Sequence, residues 1–155
     1  MNKALQSGIV IVVDGGCHNN QIASERKAYG SMCVLVDGVK REFHYGGLDG
    51  DHATAQAFFN WGNDTNNQAE LKSMLAVFGY IRELRGRSQP CPITVVSDSR
   101  LACGFAEGTM KPNKKNANMV ALAPVLKAEL EKLNEAAVVA VIWVDNKDIK
   151  EILGH

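Results

Sequence analysis

The chain carries no excess of either charge. Lysine plus arginine and aspartate plus glutamate both come to 17, so the formal net charge at pH 7 is zero. Capture of a polyanion by the field of the whole molecule is therefore excluded, and a nucleic-acid partner has to be held by a local basic patch. Cysteine is scarce: Cys17, Cys33, Cys91 and Cys103. No two of them form a C-x-x-C pair and the histidines complete no zinc pattern, which leaves reduced thiols in a cytoplasmic protein. Long apolar runs are missing as well. The run "IVIVV" stops at Asp14, so it is a buried strand and not the apolar part of a signal peptide, and no stretch approaches the length of a membrane span. No membrane association is expected.

What is present suits one domain over residues 1–155, with 46% hydrophobic residues to build its core. A first strand is expected at Ser7 to Val13. "AYGSMCVLV" from Ala28 to Val36 is rich in strand formers, Asp37 and Gly38 make a hairpin turn, and "VKREFHY" from Val39 to Tyr45 returns antiparallel. The segment from Gly46 to Asp64 shows no clear periodicity and is expected as a loop pinned by "AFFNW" and Tyr45. A helix from Thr65 to Arg85 is broken by "RGRSQPCP". There follow a strand at Ile93 to Ser97, a helix from Ser99 to Ala106, the polar loop "GTMKPNKKN", and a helix from Ala117 to Ala136. A strand from Val138 to Val144 and a short helix near Asp148 to Leu153 complete the series. An antiparallel meander followed by crossovers predicts an α/β fold, a single mixed sheet flanked by helices.

Three acids stand at element ends. Asp14 closes the first strand, Asp98 follows "ITVVS", and Glu70 lies one turn into the first long helix, on a stripe with Met74, Val77 and Ile81. A carboxylate turned inward needs a donor, a cation or a metal. Each acid also has an ordinary explanation. "DGG" is a turn sequence, Asp98 is placed to cap a helix, and Thr65 with Gln68 forms a capping box. Together, at strand and helix ends that converge on one sheet edge, they favour a hard-cation site for Mg²⁺ or Mn²⁺.

"VVDGGCHNN", "GNDTNNQAEL" and "VVSDSRL" closely resemble three signature segments of the ribonuclease H family, in order and in placement on strand, helix and strand. The resemblance runs from about Gly8 to Val144. It implies a five-stranded mixed sheet, three antiparallel strands and then parallel crossovers, with helices on both faces. It also implies cleavage of the RNA strand of RNA–DNA hybrids by two-metal-ion catalysis with Mg²⁺, Mn²⁺ being the substitute, leaving 5′-phosphate and 3′-hydroxyl ends. By resemblance Asp14, Glu70 and Asp98 are metal-binding catalytic carboxylates, and Cys17, Asn20, Asn66 and Asn67 are hybrid contacts. Arg100 stands where the family often has glutamine; an arginine there suits a phosphate.

The C-terminal segment "WVDNKDIKEILGH" departs from the family, which usually places a fourth metal-site residue in its last helix. Asp145, Asp148, Glu151 and His155 are the candidates; His155 is favoured and Asp148 is second. Lys111, Lys114 and Lys115 lie in a short loop, so the chain resembles the compact type 1-like versions without the extra basic helix. A monomer with no protein partner is expected. Two rival functions are a non-catalytic hybrid-binding module and another nuclease of the same superfamily, such as a junction-resolving enzyme or a single-strand DNase.

Overall fold

The structure is a computed structural model that describes residues 2–46 and 53–154. Its centre is a mixed sheet. Strands β1 (Ile9–His18) and β2 (Lys27–Val36) form a long antiparallel hairpin, in register from Ile9 opposite Val36 to His18 opposite Lys27. On its other edge β1 pairs in parallel with β7 (Ile93–Ser97), which pairs in parallel with β8 (Val139–Trp143). The outer edge of β2 carries two short segments. One is β3 (Val39–Arg41), opposite Val34 to Val36; the other is β6 (Ala57–Gly62), opposite Ala28 to Met32. They occupy one strand position, interrupted between Arg41 and Ala57. The small ladder of β4 (Phe43–His44) with β5 (Ala53–Thr54) belongs to that interruption. The sheet therefore has the mixed order expected from the sequence, with its third position split.

Three expectations are corrected here. The first strand does not close at Asp14; it continues through two glycines to His18, paired all the way. "VKREFHY" does not return as one strand, because the chain leaves β2 after Arg41 and Phe43–His44 pairs with β5. The segment from Gly46 to Asp64 is not simply a loop: Ala57–Gly62 alternates buried and exposed residues as a half-buried strand should.

Helices α1 (Asn66–Gly86), α2 (Arg100–Glu107) and α3 (Ala117–Asn134) cover one face. Between them and the sheet lies the larger core, where Ile11, Leu71, Met74, Val77, Phe78, Ile81 and Leu126 are fully buried. Helix α4 (Asn146–Leu153) covers the other face over Leu5, Val10, Val12, Cys33, Val96 and Ile149. Alternate residues of β1 serve the two cores, which is why "IVIVV" is apolar throughout. The end of α4 is held at the split in the third strand position. Lys40 Nζ donates to the carbonyl of Ile152 at 3.0 Å, and Gln56 Nε2 donates to the carbonyl of Leu153 at 3.0 Å and to Ser31 Oγ at 3.3 Å. Ser31 is fully buried and lies directly opposite Asp14 across the β1–β2 ladder.

Candidate active site

Asp14, Glu70 and Asp98 come together at one end of the sheet. Each offers a carboxylate oxygen, and these three oxygens lie within 4.8 Å of one another; among the described residues no other group of histidine, cysteine or acidic side chains does this. Two features of the sequence make the approach possible. The capping box of Thr65 and Gln68 starts α1 sharply, Thr65 accepting from the Gln68 N–H and Gln68 accepting from the Thr65 N–H, so Glu70 falls in the first turns. Gly15 then lets β1 pass under that turn. A Cβ on Gly15 would stand 2.6 Å from the carbonyl oxygen of Ala69 and 2.8 Å from the Glu70 nitrogen. Its cross-strand partner Gly30 is equally confined, since a Cβ there would collide with Ser73 Oγ. The glycine pair is a trough into which α1 settles.

Each acid has its own holders. Asp14 Oδ1 accepts from the Gly15 N–H at 2.9 Å. Asn66 Nδ2 donates to Glu70 Oε1 at 3.4 Å. Ser99 is buried and caps α2, its Oγ accepting from the Ala102 N–H at 3.0 Å; Ser99 and not Asp98 is the cap. Asp98 is gripped from the β8–α4 junction. Trp143 Nε1 donates to its backbone carbonyl at 2.9 Å, and Asn146 Nδ2 donates to its carboxylate Oδ2. The Arg100 guanidinium lies 3.8 Å from the centroid of the Trp143 ring.

The electrostatics record the crowding. Burial pushes the Asp14 carboxyl up to about 8; the charge of Asp98, a hydrogen bond with the Asp98 side chain and the charge of Glu70 act the same way against the Gly15 N–H. Burial also raises Glu70, and Asp98 adds to this, while Ser99 and Asn66 oppose it. Tyr29 is raised by burial and by the charge of Asp14. Like charges drawn together in a half-buried place are stabilised by a proton or by a cation between them. The donor set is oxygen alone, without sulfur or imidazole among the described residues, and so fits a hard divalent ion.

The other candidates fall as follows. Cys17 Sγ donates to the carbonyls of His18 and Asp64, both at 3.3 Å. Asn20 Oδ1 accepts from the Asn66 N–H at 2.8 Å, joining the β1–β2 turn to the start of α1. Asn67 is exposed on the first turn of α1. Lys111, Lys114 and Lys115 are not part of the acid site; they precede α3. Asp145 caps α4, accepting from the Lys147 N–H at 2.9 Å, and neither it nor Asp148 nor Glu151 joins the three acids. His155 lies outside the described residues. Ser99, Trp143 and Asn146 were missed in the sequence. Ser99 was within reach as the cap residue between Asp98 and an amphipathic helix; nothing local marks Trp143 or Asn146 as a partner of Asp98.

No family model and no curated protein matches the sequence. Solved structures do. The chain is similar to ribonuclease H1 from the halophilic archaeon Halobacterium salinarum, at 14% identity over 93% of this chain and 90% of that one, with a TM-score of 0.65. It is similar to LC11-RNase H1, isolated from compost by a metagenomic approach, at 14% identity over 96% and 91% of the two chains, with a TM-score of 0.71. It also matches LC11-RNase H1 in complex with an RNA/DNA hybrid, at 16% identity over 92% and 89%, with a TM-score of 0.61. Strand order, the helices on both faces and these matches agree: the chain has the ribonuclease H fold, and its resemblance to the ribonuclease H family extends from three motifs to the whole architecture.

Proposed function

We propose that this protein is a divalent-metal-dependent endonuclease that hydrolyses the RNA strand of RNA–DNA hybrids, leaving 5′-phosphate and 3′-hydroxyl ends. The observation that carries this reading is the convergence of the Asp14, Glu70 and Asp98 oxygens within 4.8 Å. A structural neighbour, LC11-RNase H1, has been seen in complex with an RNA/DNA hybrid, which supports the choice of substrate.

We assign the three carboxylates to the binding of two Mg²⁺ ions, Mn²⁺ substituting, with His155 as a fourth member of the site. When bound, the metal supplies Lewis-acid stabilisation of the charge that builds on a phosphodiester and makes water a stronger acid. The chain's own groups do the positioning. Burial raises Glu70, and Ser99 and Asn66 act against it, favouring the ionised form. Asn146 fixes one oxygen of Asp98, which restricts how the other can turn.

Hybrid recognition falls to short donors around the acids. Asn20 commits its side-chain oxygen to the Asn66 N–H, so its amide nitrogen is the group left to donate. Together with Asn66, Asn67 and Cys17, it is assigned to the shallow minor groove, where base edges and 2′-hydroxyls are displayed. Selectivity for RNA is assigned to 2′-hydroxyl contacts that include Glu70. Arg100, spread on Trp143, is assigned to a phosphate.

The test is a substrate panel with Mg²⁺: RNA–DNA hybrid, double-stranded RNA, single-stranded RNA, single-stranded DNA and a four-way DNA junction. The expected result is cleavage of RNA in the hybrid alone. Binding of hybrid without cleavage in Mg²⁺ or Mn²⁺ identifies a binding module, and cleavage of junctions or single-stranded DNA identifies another nuclease of the superfamily.

A further inference from the structure

We propose that the groove between the far end of the β1–β2 hairpin and the end of β6 is a second nucleic-acid subsite, which holds phosphates of the cut strand beyond the acids. The inference rests on the hybrid-nuclease reading and extends it.

The groove has a volume of about 470 Å³, and His18, Arg26, Lys27, Tyr29, Phe59 and Asn60 are among its walls. Arg26 and Lys27 bring positive charge to it, and among the described residues no carboxylate lines it. In a chain of zero net charge this is a local basic patch of the kind a polyanion requires. Its walls also include aromatic faces. The rings of His18 and Tyr29 stack with centroids 5.0 Å apart, and Phe59 is nearly buried beside them. Cationic groups along a groove with aromatic shelves are the general means of tracking a nucleic-acid strand without reading its sequence.

Three further observations tie the groove to the acids. The β2–β6 ladder shifts register between Ala28 and Tyr29, at the groove itself, and such bulges re-aim side chains. Tyr29 lies opposite Gly16, two residues along β1 from Asp14. A chain of hydrogen bonds then fixes the wall: Arg26 Nε donates to the Asn20 carbonyl at 2.7 Å, Asn20 Oδ1 accepts from the Asn66 N–H, and Asn66 donates to Glu70. The same hairpin end thus positions a basic groove and the start of α1. A strand whose phosphate sits among the acids continues past Tyr29 toward Arg26 and Lys27.

Lys27 is the residue to test, because it is exposed and Arg26 braces Asn20. A labelled RNA–DNA hybrid is titrated with wild type, Lys27→Gln, Lys27→Arg and, as a control on α4, Lys150→Gln, with Ca²⁺ in place of Mg²⁺ and salt varied from about 50 to 200 mM. Lys27→Gln is expected to weaken binding about five- to tenfold at 0.1 M salt and to reduce the salt slope by about 1. Under turnover with Mg²⁺ the loss should appear in KM more than in kcat. Lys27→Arg should restore affinity, and Lys150→Gln should match wild type. If Lys27→Gln binds as wild type does with an unchanged salt slope while the hybrid is cleaved, the groove is off the substrate path and this inference alone is overturned. A wild type that binds no hybrid overturns both this and the reading beneath it.

Discussion

Gly15 on β1 lies directly under Ala69 on α1, so close that a Cβ on the glycine would stand 2.6 Å from the Ala69 carbonyl oxygen. That contact sets the separation between the strand that carries Asp14 and the helix that carries Glu70. The obstruction is backbone, which no rotamer change relieves.

Gly15→Ala should therefore act on both stability and the site. Overpacking against fixed backbone costs about 2–3 kcal/mol, which corresponds to a fall in Tm of roughly 5–10 °C for a chain of this size. Hybrid cleavage should fall at least tenfold at temperatures where the variant is still folded, as Glu70 moves off Asp14. Thermal melts and cleavage rates on the same sample separate the two effects. Unchanged values for both would remove the role given to the glycine.

Metal-free stability should depend on pH through Asp14. Its folded-state pKa of about 8 lies above the ordinary value of 3.8. Between these values the folded protein binds a proton that the unfolded chain has released. Stability therefore declines as pH rises from about 4 to 8, with no penalty from this group below that window. Asp14→Asn removes the penalty. In EDTA it should raise Tm at pH 8 by roughly 3–6 °C, less than full burial would give because solvent screens a partly exposed carboxylate, and should change little at pH 4. Mg²⁺ should raise the Tm of wild type and not that of the variant. Melts at the two pH values, with and without metal, check the sign.

Asn146→Ala should weaken Mn²⁺ binding and hybrid cleavage by about 10- to 100-fold, the usual cost of removing a group that orients a ligand. The amide donates to Asp98 Oδ2 and is exposed on the first turn of α4, so the fold should tolerate its loss. Calorimetry with Mn²⁺ gives the answer independently of activity, and an unchanged affinity would show that Asp98 is held without it.

The thiols should divide by burial. Burial pushes Cys33 up to about 11 and Cys103 up to about 12, and both are buried. Cys17 and Cys91 are half-buried. At pH 8 a maleimide should label Cys17 and Cys91 first, with Cys33 and Cys103 labelled only on unfolding. Peptide mass mapping over time reads the order directly.

The three acids were legible because each sits in a short motif that also fixes its element: a strand running into "DGG", a capping box, a strand ending before a helix cap. What lay between motifs was less so. Gly15 and Gly16 looked like the end of a strand, yet the ladder continues because Gly30 and Tyr29 stand opposite them. β6 was hidden by adjacent phenylalanines, although Ala57, Phe59 and Trp61 point one way and Phe58 and Asn60 the other. The hold of Asn146 on Asp98 and of Lys40 and Gln56 on the end of α4 joins residues far apart in the chain, and no local pattern announces such pairs.

The central claim is that Asp14, Glu70 and Asp98 form the metal site that cuts RNA in a hybrid. The most direct measurement is single-turnover cleavage of a hybrid carrying end-labelled RNA, with wild type, Asp14→Asn, Glu70→Gln and Asp98→Asn, in Mg²⁺ and in EDTA. The expected result is RNA cleavage by wild type in Mg²⁺ only, products ending in 3′-hydroxyl and 5′-phosphate, and a loss of at least a thousandfold in each variant with the fold intact. Cleavage that persists in EDTA, or near wild-type rates in any of the three variants, would contradict the claim.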